Sequence, residues 1–515
     1  MPPPERASRR IRRRFEGATA DHKAGRLSTA IAGYRYVLGK APDHQGAWNN
    51  LGAALKAMGR ADDAVACFEE GLKRHSNSIE LRVNFGNLLR ELGEPAAAVE
   101  NYDKALAGAP DLAETRYAMG VCLRDLGRHE GAEECFSVAA EALPHDPRPL
   151  TGQALLAFDA GDIPTALDFV TRAIERQQDD ADAWNLKGVI LKETARYEDS
   201  LEAYGCALDA DPNHAEAHYN RGVIRLLQGD MPDAWADYDW RWRGESRQLP
   251  GAHLGLPLWD GTPLNGCRIL LVAEQGFGDT IQFIRYAPLV QSRGGEVHLH
   301  CRRELISLLE TAPGVDVIST IGGPIQDCDY YLPLLNLPGL FSTDTASIPF
   351  PEGYLSSSHS PQYHLDAPMG QFNVGVVWAG SETHKNDRNR SLPAALISAL
   401  TNIPGVFLYS LQLGQTAPAG MNDLALNIRD FNDSAAYLGK LDLLITVDTA
   451  AAHLAGALGR PAWVMLPHVP DWRWMLHRRD TPWYQSLRLF RQSRAGDWRT
   501  VISDIRRELE TLMPC

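Results

Sequence analysis

The chain has 515 residues, 44% of them hydrophobic, and a formal net charge of −14. That length lies well past the size at which one core splits into domains. The acidic balance argues against general nucleic-acid binding, which rests on phosphate neutralisation. Eight scattered cysteines without a C-x-x-C pair fit a reducing cytosol better than a disulfide scaffold or a zinc site. No run approaches the roughly 18 apolar residues that span a bilayer. A soluble, cytoplasmic protein is expected.

The N-terminus, MPPPERASRRIRRRF, is basic but lacks the apolar stretch of a signal peptide. Residues 1–10 read as a solvated lead-in to the first helix; their arginines could instead touch an acidic partner or an anionic membrane surface.

Self-similarity dominates the next 238 residues, 11–248. Gly52, Gly86, Gly120, Gly188 and Gly222 are spaced by 34 residues or by twice that, with Ala18 and Ala154 filling the series. Small residues keep the same step at Ala30, Ala64, Ala98, Ala132, Ala166, Ser200 and Ala234, and aromatics at Tyr34, Phe68, Tyr102, Phe136, Tyr204 and Tyr238. Pro42, Pro110, Pro144 and Pro212 close units. The register runs unbroken over the whole stretch, which makes seven repeats. The pattern resembles the tetratricopeptide family. That resemblance implies helical hairpins stacked into a superhelix whose concave groove holds protein segments. Glycines 59, 93, 127, 161 and 229 fall in the turn between the paired helices, where a positive φ is inexpensive. The seventh repeat ends in AWADYDWRW; Trp235, Trp240 and Trp242 suit either a seam to the next domain or a ligand platform.

Residues 249–266 are rich in Pro and Gly and read as a linker or a wrapped segment, anchored by Trp259. From Arg268 the pattern alternates. Strands are expected near 268–273, 296–301 and 315–319, with helices at 280–293 and 303–311 and a short apolar run at 329–335. After a break at 356–369 come strands at 374–378, 405–411, 443–447 and 462–466, helices at 393–401, 434–441 and 449–458, and a C-terminal amphipathic helix at 498–512. Two βα series imply two doubly wound α/β lobes, at 267–355 and 373–515 with a linker at 356–372, and a cleft between them.

Three segments carry a second resemblance: EQGFGDTIQFIRYAP from Glu274, VVWAGSETHKNDRNRSLP from Val376 and TVDTAAAHLAGALGRPAWVMLP from Thr446. They are similar to bacterial heptosyltransferase-related glycosyltransferases of the GT-B fold, which has two Rossmann-like lobes. A tetratricopeptide array ahead of such a region resembles protein O-GlcNAc transferases and soluble bacterial flagellin glycosyltransferases. The resemblance implies an acceptor-side N-terminal lobe, a C-terminal lobe that binds the nucleotide-sugar, and no metal or cofactor beyond that co-substrate.

Glycosyl transfer needs a base at the acceptor hydroxyl and cationic or N–H groups around the departing phosphate. Asp279 is the candidate base, since the matching aspartate of heptosyltransferases has that role; it could equally cap the helix after it. Gly276 and Gly278 permit close backbone approach. Lys385, Arg388 and Arg390 suit either an ordinary solvated loop or a donor phosphate; the resemblance implies phosphate binding, with Lys385 the first candidate. Asp448 and Thr449 stand at a helix start that, by resemblance, binds the nucleotide-sugar, although Ala450 replaces the glycine often found there. His453 one turn on contacts the donor or packs within the helix. Gln412 and Gly414 are candidates for the base pocket. Asp327-x-Asp329 matches a metal motif of a different glycosyltransferase architecture, and Asp471–Trp474 reads as an aromatic clamp or a sugar platform.

The expected activity is protein O-glycosylation: a sugar moves from a nucleotide donor, such as a CMP-pseudaminic acid or an NDP-hexose, to a Ser/Thr hydroxyl. The repeats recruit the acceptor, and flagellin is the first candidate. The alternatives are a non-catalytic scaffold with a degenerate α/β half, and a glycolipid or heptosyl-type transferase.

Overall fold

The structure is a computed structural model, which describes residues 3–243, 249–358, 365, 370–384 and 386–513. By its internal contacts the chain forms two compact units, Met1–Ile190 and Leu191–Cys515.

The first unit is built of helical hairpins: α1 (Pro3–Lys23) with α2 (Leu27–Lys40), α3 (Gln45–Ala57) with α4 (Ala61–Arg74), α5 (Ile79–Glu91) with α6 (Pro95–Gly108), α7 (Ala113–Asp125) with α8 (His129–Ala142), and α9 (Arg148–Asp159) with α10 (Ile163–Arg176). Each repeat is too short to bury its own apolar face, so neighbours stack. The small residue on the first helix of a pair admits the aromatic ring from the second. A Cβ added at Gly86 would lie 2.6 Å from the Tyr102 ring, and at Gly120 2.8 Å from Phe136. Tyr34, Phe68, Tyr102 and Phe136 are fully buried in this way. Helix α11 (Ala181–Glu193) carries the boundary between the units.

The second unit begins with the remaining repeat helices, α12 (Tyr197–Ala210), α13 (Ala215–Gln228) and α14 (Met231–Tyr238), and then a 3-10 turn at Asp239–Trp242. The hairpin turn of every repeat holds a positive φ, at Gly25, Gly59, Gly93, Gly127, Gly161 and Gly229, and at Ala195 (φ 57°) in the sixth. Residues 249–266 are tied down rather than loose. Trp259 is 2% exposed, its backbone N–H donates to the Tyr331 carbonyl, and its indole donates to Thr262 O.

Two parallel sheets complete the unit. The first has order β3-β2-β1-β4, from β1 (Arg268–Val272), β2 (Glu296–Cys301), β3 (Val317–Thr320) and β4 (Tyr330–Pro333). The expected helix 280–293 is broken into α15 (Phe277–Phe283), a 3-10 turn and α16 (Ala287–Gln291), with Pro288 in the first turn of α16. Short helices α17 (Ile306–Leu309) and α18 (Leu337–Leu340) complete this lobe. The second sheet has order β10-β9-β8-β5-β6-β7: β5 (Phe372–Val377), β6 (Val406–Ser410), β7 (Asn422–Asp423), β8 (Leu443–Val447), β9 (Ala462–Leu466) and β10 (Leu487–Arg491). Its helices are α19 (Asp387–Arg390), α20 (Ala394–Ile397), α21 (Phe431–Leu438), α22 (Ala450–Ala457) and α23 (Trp498–Leu512). β8 and β9 are buried at every residue, as expected of central parallel strands covered on both faces.

Candidate active site

The carboxyl end of β1 runs into the turn Ala273–Gly276 and then α15; the carboxyl end of β8 runs through Asp448 and Thr449 into α22. These two strand-to-helix junctions, one from each sheet, meet. A Cβ placed on Gly278 would stand 2.6 Å from His453 Cδ2 and 3.5 Å from Ala450 Cα. The first turns of α15 and α22 therefore converge, each with the positive end of its dipole. Gly278 is the residue that allows it.

Asp279 is engaged on both oxygens. Oδ2 accepts the Gly276 N–H at 2.8 Å, which caps α15, and Oδ1 accepts from Arg473 Nη2 at 2.5 Å. The cap, the alternative to a base, is present together with an ion pair from the other lobe. Arg473 also donates to Gln282 Oε1 at 2.7 Å and Asp471 Oδ1 at 2.9 Å, and lies over the Trp472 ring. Burial opposes its charge, but Asp471 and Asp279 outweigh burial, and its pKa sits well above the ordinary value. Arg473 is a site residue that the sequence reading misses. Its only signal there is the D-W-R-W motif, which draws attention to its aromatics.

Asp448 keeps part of its surface open. Burial among protein atoms, reinforced by the Asp471 carboxylate, pushes its pKa up to about 7, against the pull of Trp474, Arg390 and Arg473. Burial raises Asp471 as well, but the Arg473 charge and hydrogen bonds hold it below the usual carboxylate range. The two acids are thus driven apart, one to hold a proton near neutrality and one to stay ionised. His384 lies in the same field. Burial and then Arg390 lower its pKa, partly opposed by Asp471, Asp387 and Asp279.

Arg390 bridges segments: Nη1 donates to the Asp448 carbonyl at 3.1 Å and Nε to Asp387 at 3.2 Å. A Cβ at Gly380 would collide with its guanidinium. Arg388 is exposed on α19, and Lys385 lies outside the described residues. Thr449 caps α22, accepting from Ala451 N at 3.3 Å. His453 is 5% exposed, packs against Trp474 with rings 5.3 Å apart, and has Nδ1 3.0 Å from the Tyr484 hydroxyl. Burial and then the Arg473 charge push its pKa down to about 3, so the ring is neutral. Gln412 turns inward, its carbonyl oxygen accepting from the Trp378 and Ala379 N–H groups at 3.0 and 2.9 Å. It fixes the turn after β5. Gly414 is exposed with φ 77°. Asp279, Gly278, Arg390, Asp448, Thr449 and His453 are therefore brought to one place, and Gln412 supports it from behind.

The helical half is a tetratricopeptide-repeat array: residues 43–111, 83–147, 151–204 and 191–239 match models described as tetratricopeptide repeat. The α/β region with two parallel sheets comes after it. Protein FlbA of Caulobacter vibrioides is 24% identical over 417 residues, covering 66% of this chain and 69% of that protein. That share of this chain exceeds what the array occupies. Among solved structures, a tetratricopeptide repeat protein from Parabacteroides merdae is 20% identical and covers 48% of this chain and 96% of its own, with a TM-score of 0.42. Pseudomonas aeruginosa PilF is 17% identical, covers 39% and 90%, and has a TM-score of 0.34. No helix among the described residues is long and apolar enough to cross a membrane.

Proposed function

We propose that the chain is a GT-B-type glycosyltransferase that moves a sugar from a nucleotide-sugar to a Ser/Thr hydroxyl of a protein recruited by the repeats. The observation that carries this reading is the meeting of the β1–α15 and β8–α22 junctions, with Asp279, Asp448, Arg390 and Arg473 around it. Converging helix N-termini and the Arg390 guanidinium suit a leaving diphosphate or monophosphate, while Arg473 is spent on Asp279, Gln282 and Asp471. A carboxylate within the same cluster suits the acceptor proton.

Two carboxylates compete for the base. Asp279 is favoured by resemblance, which also makes its lobe the acceptor side. Asp448 is favoured by its raised pKa, near the pH at which a base works best. The acceptor of first choice is flagellin and the donor of first choice a CMP-activated nonulosonic acid, both from the family resemblance; an NDP-hexose is the alternative.

The test is the intact mass of flagellin from the native host with the gene present, deleted, or complemented by wild type, Asp279→Asn or Asp448→Asn. A sugar-sized increment that is lost on deletion, restored by wild type and missing with one aspartate variant supports the reading and assigns the base. An unchanged flagellin mass removes that acceptor. If the purified chain also binds no nucleotide by calorimetry, the scaffold reading replaces the transferase.

A further inference from the structure

We infer that the last repeat is a wall of this site, and that Arg241 is a positioning residue for Asp279. The inference deepens the transferase reading and rests on it for the chemistry that is positioned.

The segment α14–Trp242 ends the repeat pattern; Asp237 and Trp240 stay on α13, yet Trp235, Tyr238, Asp239 and Arg241 reach the α/β lobes. The Arg241 side chain is 2% exposed and forks onto the Glu274 carboxylate, which is 0% exposed, with Nη2 3.2 Å from Oε1 and Nε 3.4 Å from Oε2. The same guanidinium donates to Asn336 Oδ1 at 2.7 Å and to Asp239 Oδ1 at 2.8 Å. Asn336 Nδ2 donates back to Asp239 at 2.9 Å, and Glu274 Oε1 accepts the Leu335 N–H at 2.9 Å. Burial opposes the charge on Arg241, and Glu274, Tyr238 and Asp239 together overcome it. The Arg241–Glu274 pair is enclosed, and its hydrogen bonds interlock with Asn336 and with Asp239, whose side chain is 40% exposed, which restricts the cluster to few geometries.

Glu274 lies in the turn between β1 and α15, five positions before Asp279. Holding its carboxylate fixes where that turn leaves the strand, and hence where the first turn of α15 places Asp279. The partner of Asp279 is held from the same segment. Trp235 and Tyr238 pack edge-on against Trp472, each with ring centroids 5.7 Å away, and the Trp235 indole donates to Thr343 O at 2.8 Å. Trp472 precedes Arg473, the counter-ion of Asp279. One short stretch of the repeat array thus grips both sides of the Asp279–Arg473 pair. A linker between independent domains needs none of this; exposed polar residues suffice there.

The experiment uses the full-length chain, with Arg241→Met, Arg241→Lys, the double variant Arg241→Met/Glu274→Gln, and Arg243→Met as an exposed neighbour control. Amide hydrogen exchange is tracked by segment, and transfer is measured as kcat and acceptor KM. Arg241→Met is expected to raise exchange across 274–283 and 471–475 at least tenfold while 462–466 stays unchanged. It should lower kcat about a hundredfold with KM within twofold; Arg241→Lys should recover part of kcat, and Arg243→Met should match wild type. The double variant leaves no unpaired buried charge and keeps the test open if Arg241→Met fails to fold. Native exchange in 274–283, or an equal rise in every segment, overturns the positioning role. So does a folded variant with native kcat. A wild type that transfers nothing defeats the transferase reading instead, and the exchange pattern alone then decides the role of Arg241.

Discussion

Gly278→Ala tests whether the two strand-to-helix junctions touch as described. The added Cβ would start 2.6 Å from His453 Cδ2, whereas carbon atoms rest at about 3.5–4.0 Å. About 1 Å of movement is required, and the ring has nowhere to go. His453 is held by the Tyr484 hydroxyl at 3.0 Å and by the Trp474 ring. Tyr484 is wedged against Gly456, where an added Cβ would collide with it. Overpacking of this kind costs about 1–3 kcal/mol, and the absence of slack puts the expected value near about 3. Urea unfolding monitored by tryptophan fluorescence is the assay. Only Trp48 and Trp184 of the twelve tryptophans precede Leu191, so the signal reports chiefly the unit that holds the site. The decisive arm is a double-mutant cycle. In a His453→Ala background the space exists, and Gly278→Ala should then cost less than about 0.5 kcal/mol. A cost equal in both backgrounds, or no cost in either, refutes the close approach of α15 and α22.

Asp448→Asn should stabilise the protein in a pH-dependent way. The folded pKa of about 7 exceeds the unfolded value of about 3.9. The carboxyl therefore costs nothing below about pH 4, and its cost grows as pH rises from there towards 7 and is constant above. Full enclosure would make the cost about 4 kcal/mol; the part of the group left open reduces it to about 1–2 kcal/mol. The variant's advantage in urea should widen by that amount between pH 4 and pH 7 and stay level above it, and an advantage that does not change with pH refutes the assignment. Ala195→Gly should stabilise by about 1 kcal/mol, because Ala195 holds φ 57° where the other six repeats place glycine. A thermal or urea transition at or below that of wild type would show that the turn carries no strain.

The repeats were legible because each unit restates the others: a glycine with an aromatic 16 residues on means little once and a great deal in five of seven units, with Ala18 and Ala154 in the glycine's place in the other two. Buried parallel strands were legible for a different reason. LLITV and AWVML are unbroken apolar runs, and β8 and β9 fall on the residues expected. β10 was missed because its LRLFR alternates Arg with apolar residues, the pattern of an edge strand with one wet face. β7, two residues long, has no periodicity to detect. In the site, glycine turns and helix starts could be read because local chemistry specifies them. The ion pair of Asp279 could not, since Arg473 lies 194 positions away. The burial that lifts Asp448 and neutralises His453 is likewise a property of assembled neighbours.

The unit boundary inside α11 leaves the repeat array with one editable end. Tetratricopeptide arrays change length by duplicating or losing whole units. Such an event before Ala181 leaves the Arg241–Glu274 pair, the Trp235–Thr343 bond and the Trp472 contacts as they are. The same event in the seventh repeat breaks all three. Descent can therefore lengthen, shorten or rewrite the upstream units while the terminal one stays under the constraints of the lobes it grips. The upstream repeats and the unit that holds the two sheets become separately variable parts of one gene, divided not where the repeat pattern stops but about a repeat and a half earlier.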